Sequence, residues 1–350
     1  MALIFSRGAR GRRIVVARCV IVLALVVSLP GLSALIALRV AYAGEPAADA
    51  VSRGRDAIWL GHAWVDGRRD EGDLARLKRR LAGTGITELY VHSGPLEHDG
   101  TLPETAYPRA RWLLDSVRRE LPGVRVQAYL GDVLVYDAGD RGGLRLADAG
   151  TRRAVRASAL QVMDAGFDGV HLDLEPMHSG NADFLTLLDD VRPAVRARGG
   201  VLSVAAHQID PLPGLHSVAA ALADHPKWWS QAFFGQVARR VDQIAVMSYD
   251  TKMPARSLYG GYVAQQTRLA LEVTPRDTDL LMGLPFYHDD TWGRDPHSET
   301  VAAAVRGVRL GLTRTDPDRE RFGTAAYIDF AATEADWSAY RNGWGALGRP

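Results

Sequence analysis

Eight short apolar runs, separated by stretches of helical periodicity, limit this chain to very few folds. The runs cover residues 57–63, 88–92, 124–130, 169–175, 201–207, 243–249, 280–287 and 325–330. Amphipathic stretches lie between them at 71–82, 110–120, 152–165, 181–198, 231–240 and 298–310. Strands that alternate with helices build parallel sheets, because a parallel strand is reached only by a crossover connection. Eight such units in about 290 residues predict one α/β domain, a single (β/α)8 TIM barrel. A doubly wound sheet is the alternative. It calls for a Gly-x-Gly-x-x-Gly turn after the first run, and this chain has none there.

The 350 residues are 47% hydrophobic and 24% charged, with a formal net charge of +1, which suits an ordinary globular domain. That balance leaves no basic footprint for nucleic acid. The Lys78-Arg79-Arg80 run belongs to a helix pattern with Leu74, Leu77 and Leu81, and reads as its solvated face. The N-terminus is a targeting segment. Arg7, Arg10, Arg12, Arg13 and Arg18 precede an apolar run at 19–38, and Ala41-Tyr42-Ala43 offers a small-x-small cleavage site. Residues 1–43 are therefore expected to be a signal peptide or a membrane anchor, 44–56 a linker and 57–350 the barrel. Pro30-Gly31 favours cleavage, whereas the run of about 20 apolar residues at 19–38 is long enough to anchor the chain if uncut. Either outcome exports the barrel to the cell surface or beyond. Arg12-Arg13 hints at a twin-arginine route. The single cysteine, Cys19, falls in this segment, so the exported domain has no disulfide. A monomer is expected.

The most reactive-looking segment is 167–176, Phe-Asp-Gly-Val-His-Leu-Asp-Leu-Glu-Pro. Side chains alternate along a strand, so His171, Asp173 and Glu175 share one face and Val170, Leu172 and Leu174 the other. Ionisable groups are seldom buried without a partner or a purpose, and barrel active sites gather at the C-terminal ends of the strands. Two carboxylates so close should raise one pKa, as a general acid near neutral pH requires. A buried ion-pair network with neighbouring arginines is the structural alternative. The sixth run ends Met247-Ser248-Tyr249-Asp250 and the seventh reads Gly283-Leu284-Pro285-Phe286-Tyr287.

These three segments resemble the family 18 glycoside hydrolases, chitinases and endo-N-acetylglucosaminidases. The family carries Asp-Gly-x-Asp-x-Asp-x-Glu on strand four, Met-x-Tyr-Asp on strand six and Gly-x-Pro-x-Tyr on strand seven. Asp168, Gly169, Asp173 and Glu175 fit the first pattern, and His171 stands where the middle aspartate is usual. The resemblance implies a hydrolase for an N-acetylhexosamine glycan, in chitin, cell wall or glycoprotein. It implies retaining, substrate-assisted cleavage, in which the 2-acetamido oxygen attacks the anomeric carbon. Glu175 would then be the acid and base. Asp173 would hold the acetamide N–H, Tyr249 its oxygen, and Asp250 would shape the same subsite, with Tyr287 beside it. No cofactor is implied.

His171 is the main departure. It could donate a hydrogen bond to Asp173, could disable the usual cycle, or could simply be a barrel-core histidine. Replacing it with Asp is expected to raise activity on chitin oligomers. The third strand, Gln127-Ala128-Tyr129-Leu130-Gly131-Asp132, lacks the family's Ser-x-Gly-Gly, and the eighth carries Tyr327-Ile328-Asp329-Phe330 without the usual tryptophan. Trp337 is a candidate to line the site or to pack the last helix. Trp59, Trp64, Trp228, Trp229 and Trp292 are candidates for stacking on sugars, with core packing as the alternative. The seventh and eighth runs are too close for an inserted domain, so an open cleft is expected. Two other function classes stand beside this one. A metal-dependent barrel hydrolase would use His62, His92, His171, His207, His288 and Asp329, but the first run lacks the His-x-His of that class. A non-catalytic, carbohydrate-binding barrel is the other, and His171 is the argument for it.

Overall fold

The computed structural model describes residues 31–137, 139–217, 227–291 and 293–345. Eight parallel strands close into a barrel: β1 (Asp56–Leu60), β2 (Ile86–Pro95), β3 (Arg125–Val133), β4 (Gly169–Glu175), β5 (Val201–Ala206), β6 (Gln243–Val246), β7 (Asp279–Pro285) and β8 (Phe322–Tyr327). Among the described residues, eight helices alternate with them: α1 (Glu71–Leu81), α2 (Ala110–Glu120), α3 (Ala149–Asp164), α4 (Ala182–Arg196), α5 (Gln231–Ala238), α6 (Arg256–Val273), α7 (Val301–Thr315) and α8 (Glu334–Gly343). This is the (β/α)8 barrel that the alternation of runs predicted.

Where the elements differ from the sequence pattern, a local cause is visible. Helix α6 has no amphipathic signature because residues from Leu258 to Leu271 are buried around nearly its whole circumference. It lies so close to α7 that a Cβ on Gly307 would come within 2.3 Å of the Gly260 carbonyl. β6 stops at Val246, three residues short of its apolar run, because the Ser248 hydroxyl bonds the Gly283 carbonyl at 2.7 Å and turns the chain. β8 starts earlier than its run, at Phe322, since Gly323 and Thr324 interrupt the apolar pattern without interrupting the ladder to β7.

Two layers of apolar packing result. The larger lies between strands and helices, and the smaller fills the barrel with Ala57, Trp59, Tyr90, Ala245, Leu281 and Ala325. Gly169 opens β4 because a Cβ there would meet the Val201 carbonyl at 2.5 Å.

Residues 31–42 are helical and 43–55 irregular, and both pack on the barrel's outer layer. Leu38 is buried with Leu258 and Tyr262 of α6. Arg314 donates to the Ala41 and Ala43 carbonyls, Arg306 to Gly44 at 2.6 Å and Arg309 to Ala50 at 2.8 Å. Asp56, the last residue of the expected linker, is the first of β1. Among the described residues no helix is long and apolar enough to cross a membrane. Residues 1–30, which hold Cys19 and the arginine cluster, lie outside the described set.

Candidate active site

The strand face predicted to carry chemistry points into the barrel mouth. Parallel pairing aligns Tyr129 with His171, Gly131 with Asp173 and Val133 with Glu175. Partners in register share a face, so β3 and β4 together build one wall: a buried histidine below, then a half-buried aspartate and a half-buried glutamate.

His171, fully buried, stacks on Tyr90 at 3.9 Å between ring centres. Its Nε2 accepts from the Trp59 indole N–H at 3.1 Å, so the neutral ring carries its proton on Nδ1 and donates it to Ser203 Oγ at 2.7 Å. Ser203 in turn donates to Gln127 at 2.7 Å. Burial drives the imidazole pKa down to about 3, so the ring stays uncharged. The histidine makes no hydrogen bond to Asp173. It is the barrel-core reading of His171 that the geometry favours, and the substrate-contact reading is corrected: a side chain sealed beneath the floor cannot reach a sugar.

The residue that does hold Asp173 is Tyr129, whose hydroxyl donates to Oδ2 at 2.7 Å. Oδ1 is buried with no partner, an acceptor aimed at nothing in the protein. Burial raises the Asp173 pKa and the Tyr129 bond opposes that rise. Glu175 is pushed up to about 8, first by enclosure and then by the charges of Asp173 and Asp250. Behind it, His207 accepts from the Met177 N–H on Nε2 at 3.1 Å, so its Nδ1 proton faces Glu175 Oε1, 3.8 Å away. Burial keeps this imidazole neutral by pulling its pKa to about 4.

Across the cleft, the ends of β6, β7 and β8 bring three tyrosines together. Tyr249 stacks on Tyr327 at 5.4 Å, and both meet Tyr287 edge-on. The Tyr287 hydroxyl donates to Asp250, whose backbone holds the left-handed φ of 57°. The Tyr249 hydroxyl makes no hydrogen bond to a described residue. Lys227 donates to the Asp250 carbonyl at 2.6 Å. The open space enclosed is about 570 Å³, lined by Asp173, Glu175, Tyr249 and Asp250 among others. Val133, Tyr136 and Phe330 stand exposed at neighbouring strand ends. A larger depression of about 780 Å³ between α2 and α3 is remote from these groups.

Glu175, Asp173, Tyr249, Asp250 and Tyr287 are thus brought together, whereas the tryptophans are not. Trp59 is buried below the floor, against His171. Trp64 is buried with its indole donating to Asp329 at 2.9 Å. Trp337 is fully buried against Phe286, 5.2 Å between ring centres, and packs α8 rather than lining the cleft. All three are core residues because β1, the 3-10 turn at His62–Trp64 and α8 turn their aromatic faces into the two apolar layers. Trp229 is buried likewise, and Trp228 donates to the Tyr262 hydroxyl at 2.8 Å. Trp292 lies outside the described residues. The strand-end histidines do not converge either. His62 and His92 pair with each other, His171 is in the core, His207 stands behind Glu175, and His288 bonds Asp336. Among the described residues no group of three or more His, Cys, Asp or Glu side chains could hold a metal ion.

Sequence reasoning missed Tyr129 as a partner of Asp173. Alternation alone puts it on the inward face of β3 with Gly131, but only the register with β4 places it beside the aspartate. It passed over Lys227 as well, and placed His207 only among possible metal ligands.

No family model matches this chain, and no curated protein matches it in sequence. Solved structures do resemble it. The Bacillus cereus spore cortex-lytic enzyme SleL superposes with a TM-score of 0.58 at 13% identity, covering 84% of this chain and 74% of that one. A class V chitinase from Pseudomonas fluorescens Pf-5 gives 0.56 at 15% identity, over 82% and 98% of the two chains. A chitinase from Chromobacterium violaceum gives 0.53 at 15%, with the same coverage. At these identities the likeness is one of fold.

Proposed function

We propose that this protein is an exported glycoside hydrolase that cleaves an N-acetylhexosamine glycan by substrate-assisted, retaining hydrolysis. The observation that carries the reading is the pairing, at one barrel mouth, of a glutamate held protonated near neutral pH with an aspartate whose inner oxygen lacks a donor. Glu175 would protonate the leaving oxygen and then activate water. Asp173 would accept the acetamide N–H on Oδ1 and offset the positive charge that develops on the ring. The unengaged Tyr249 hydroxyl would orient the acetamide oxygen. The shared fold with chitinases and a cortex-lytic enzyme supports the reading, as do the family motifs on strands four, six and seven.

The test is to incubate the wild type and Glu175→Gln with chitin oligosaccharides, peptidoglycan fragments and N-glycans, following products by mass spectrometry. Cleavage by the wild type alone supports the proposal, and its products name the bond. Binding without cleavage by either form supports the carbohydrate-binding barrel, the second reading, which rests on histidine occupying position 171.

Two further outcomes are expected. An acid catalyst works only while protonated, so kcat/KM should fall as pH rises through about 8, the value to which Glu175 is raised. A profile flat well beyond that pH would remove Glu175 from the acid role. Tyr129→Phe deletes the one donor to Asp173, a charge-assisted bond worth about 1.5–3 kcal/mol. Turnover should drop by about ten- to a hundred-fold. The acid limb should also move to higher pH, since that bond holds the Asp173 pKa down. A drop in rate without that displacement would mean that Tyr129 acts only through packing.

A further inference from the structure

The helix at residues 31–42 has two apolar faces. At 100° per residue, Leu35, Leu38 and Tyr42 fall on one side, and Leu32, Ile36 and Val40 on the other. The first side is built into the barrel wall. A Cβ on Gly261 would lie 1.9 Å from the Leu38 carbonyl, and one on Gly260 would lie 2.1 Å from the Tyr42 ring. Only glycines at these two positions of α6 let the helix sit so close. Arg306 covers the same ring at 5.4 Å, and Arg306, Arg309 and Arg314 of α7 hold successive carbonyls of the chain that follows. The second side has no partner among the described residues: Leu32, Ile36 and Val40 are 55%, 54% and 64% exposed. Three large apolar side chains in one stripe are unusual on a face left to water.

We propose that this is a docking helix which seats the barrel against a lipid bilayer, with Leu38 and Tyr42 locked to α6 and α7 and the Leu32, Ile36 and Val40 stripe in contact with lipid. Three features of the chain identify the occupant. The stripe is continuous in sequence with the apolar run at 19–38. Upstream of that run, Arg7, Arg10, Arg12, Arg13 and Arg18 supply the charge that anionic headgroups attract. Arg39, exposed on the same face near its C-terminal end, can extend along the apolar surface to the headgroup level. A barrel held this way keeps a fixed orientation over the membrane, which a free linker would not impose. It also leaves Ala41 and Tyr42 half-buried against α7, and such docking requires the segment to stay joined to the mature protein.

The experiment uses the full chain in vesicles of phosphatidylethanolamine and phosphatidylglycerol, with a carbene reagent that partitions into lipid and peptide mass spectrometry as the readout. Strong labelling of Leu32, Ile36 and Val40, with Leu38 and Tyr42 several-fold less labelled, is the expected result. Gly261→Leu should unseat the helix, bringing Leu38 and Tyr42 up to the labelling of the stripe while the barrel stays folded. Recovery of a chain that begins after Ala43, equal labelling of both faces in the wild type, or an unlabelled stripe buried between two copies of the chain would each overturn the proposal.

Discussion

Glu175→Gln is expected to fold like the wild type and to lower kcat by about 10²–10⁴-fold, the usual contribution of a positioned proton donor. Glutamine keeps the size and planarity of the side chain but cannot release a proton to a leaving oxygen. The substitution should also change stability, in a direction that depends on pH. Glu175 has a folded-state pKa raised above its unfolded value, so ionisation is disfavoured in the native protein. Below the unfolded value, about 4, the two proteins should melt alike. From there to about pH 8 the wild type loses stability that the glutamine variant keeps. Melting temperatures measured between pH 4 and pH 9 should therefore diverge in favour of the variant and then run parallel. Because the Glu175 side chain is 45% exposed, solvent screening keeps this gain small. Loss of activity together with a lowered melting temperature at all pH values would point to misfolding instead of a missing acid.

His171→Ala is expected to cost about 2–4 kcal/mol of stability, through the cavity left in the barrel core and the buried Trp59 indole N–H left without an acceptor. For a domain of this size that should lower the melting temperature by on the order of 10 °C. Assayed below its melting transition, the variant should keep turnover within a few-fold of the wild type, because the imidazole bonds Trp59 and Ser203 and not Asp173. Chemical denaturation and steady-state kinetics on the same preparation separate the two effects. His171→Asp is the informative companion. It leaves both the Trp59 N–H and the Ser203 hydroxyl a partner, so it should be more stable than the alanine variant. A turnover above wild type on chitin oligomers would mean that an aspartate here does chemistry that Tyr129 does not replace. Loss of turnover in the alanine variant without loss of stability would contradict a purely structural His171.

The order of the barrel could be read from the chain because it is written in local periodicities. Two-residue alternation marks strands, 3.6-residue spacing marks helices, and eight repetitions leave little else to build. The β4 acids were legible for the same reason. Alternation placed His171, Asp173 and Glu175 on one face, and strand polarity placed that face's end at the barrel mouth. Local patterns say nothing about depth or about neighbours across the sheet. Trp59, Trp64 and Trp337 look like sugar platforms in sequence, and become core residues only when β1, the turn after it and α8 close on Tyr90, Asp329 and Phe286. The same limit hid Tyr129, which reaches Asp173 because β3 and β4 pair in one register out of several that the sequence permits. Sequence by itself determined the strand order, the acidic strand end and the apolar run at 19–38. Tertiary structure alone decided which groups are held from ionising, which aromatics are sealed away and where residues 31–42 pack. Those properties depend on burial and on distances between residues far apart in the chain, which no local pattern encodes.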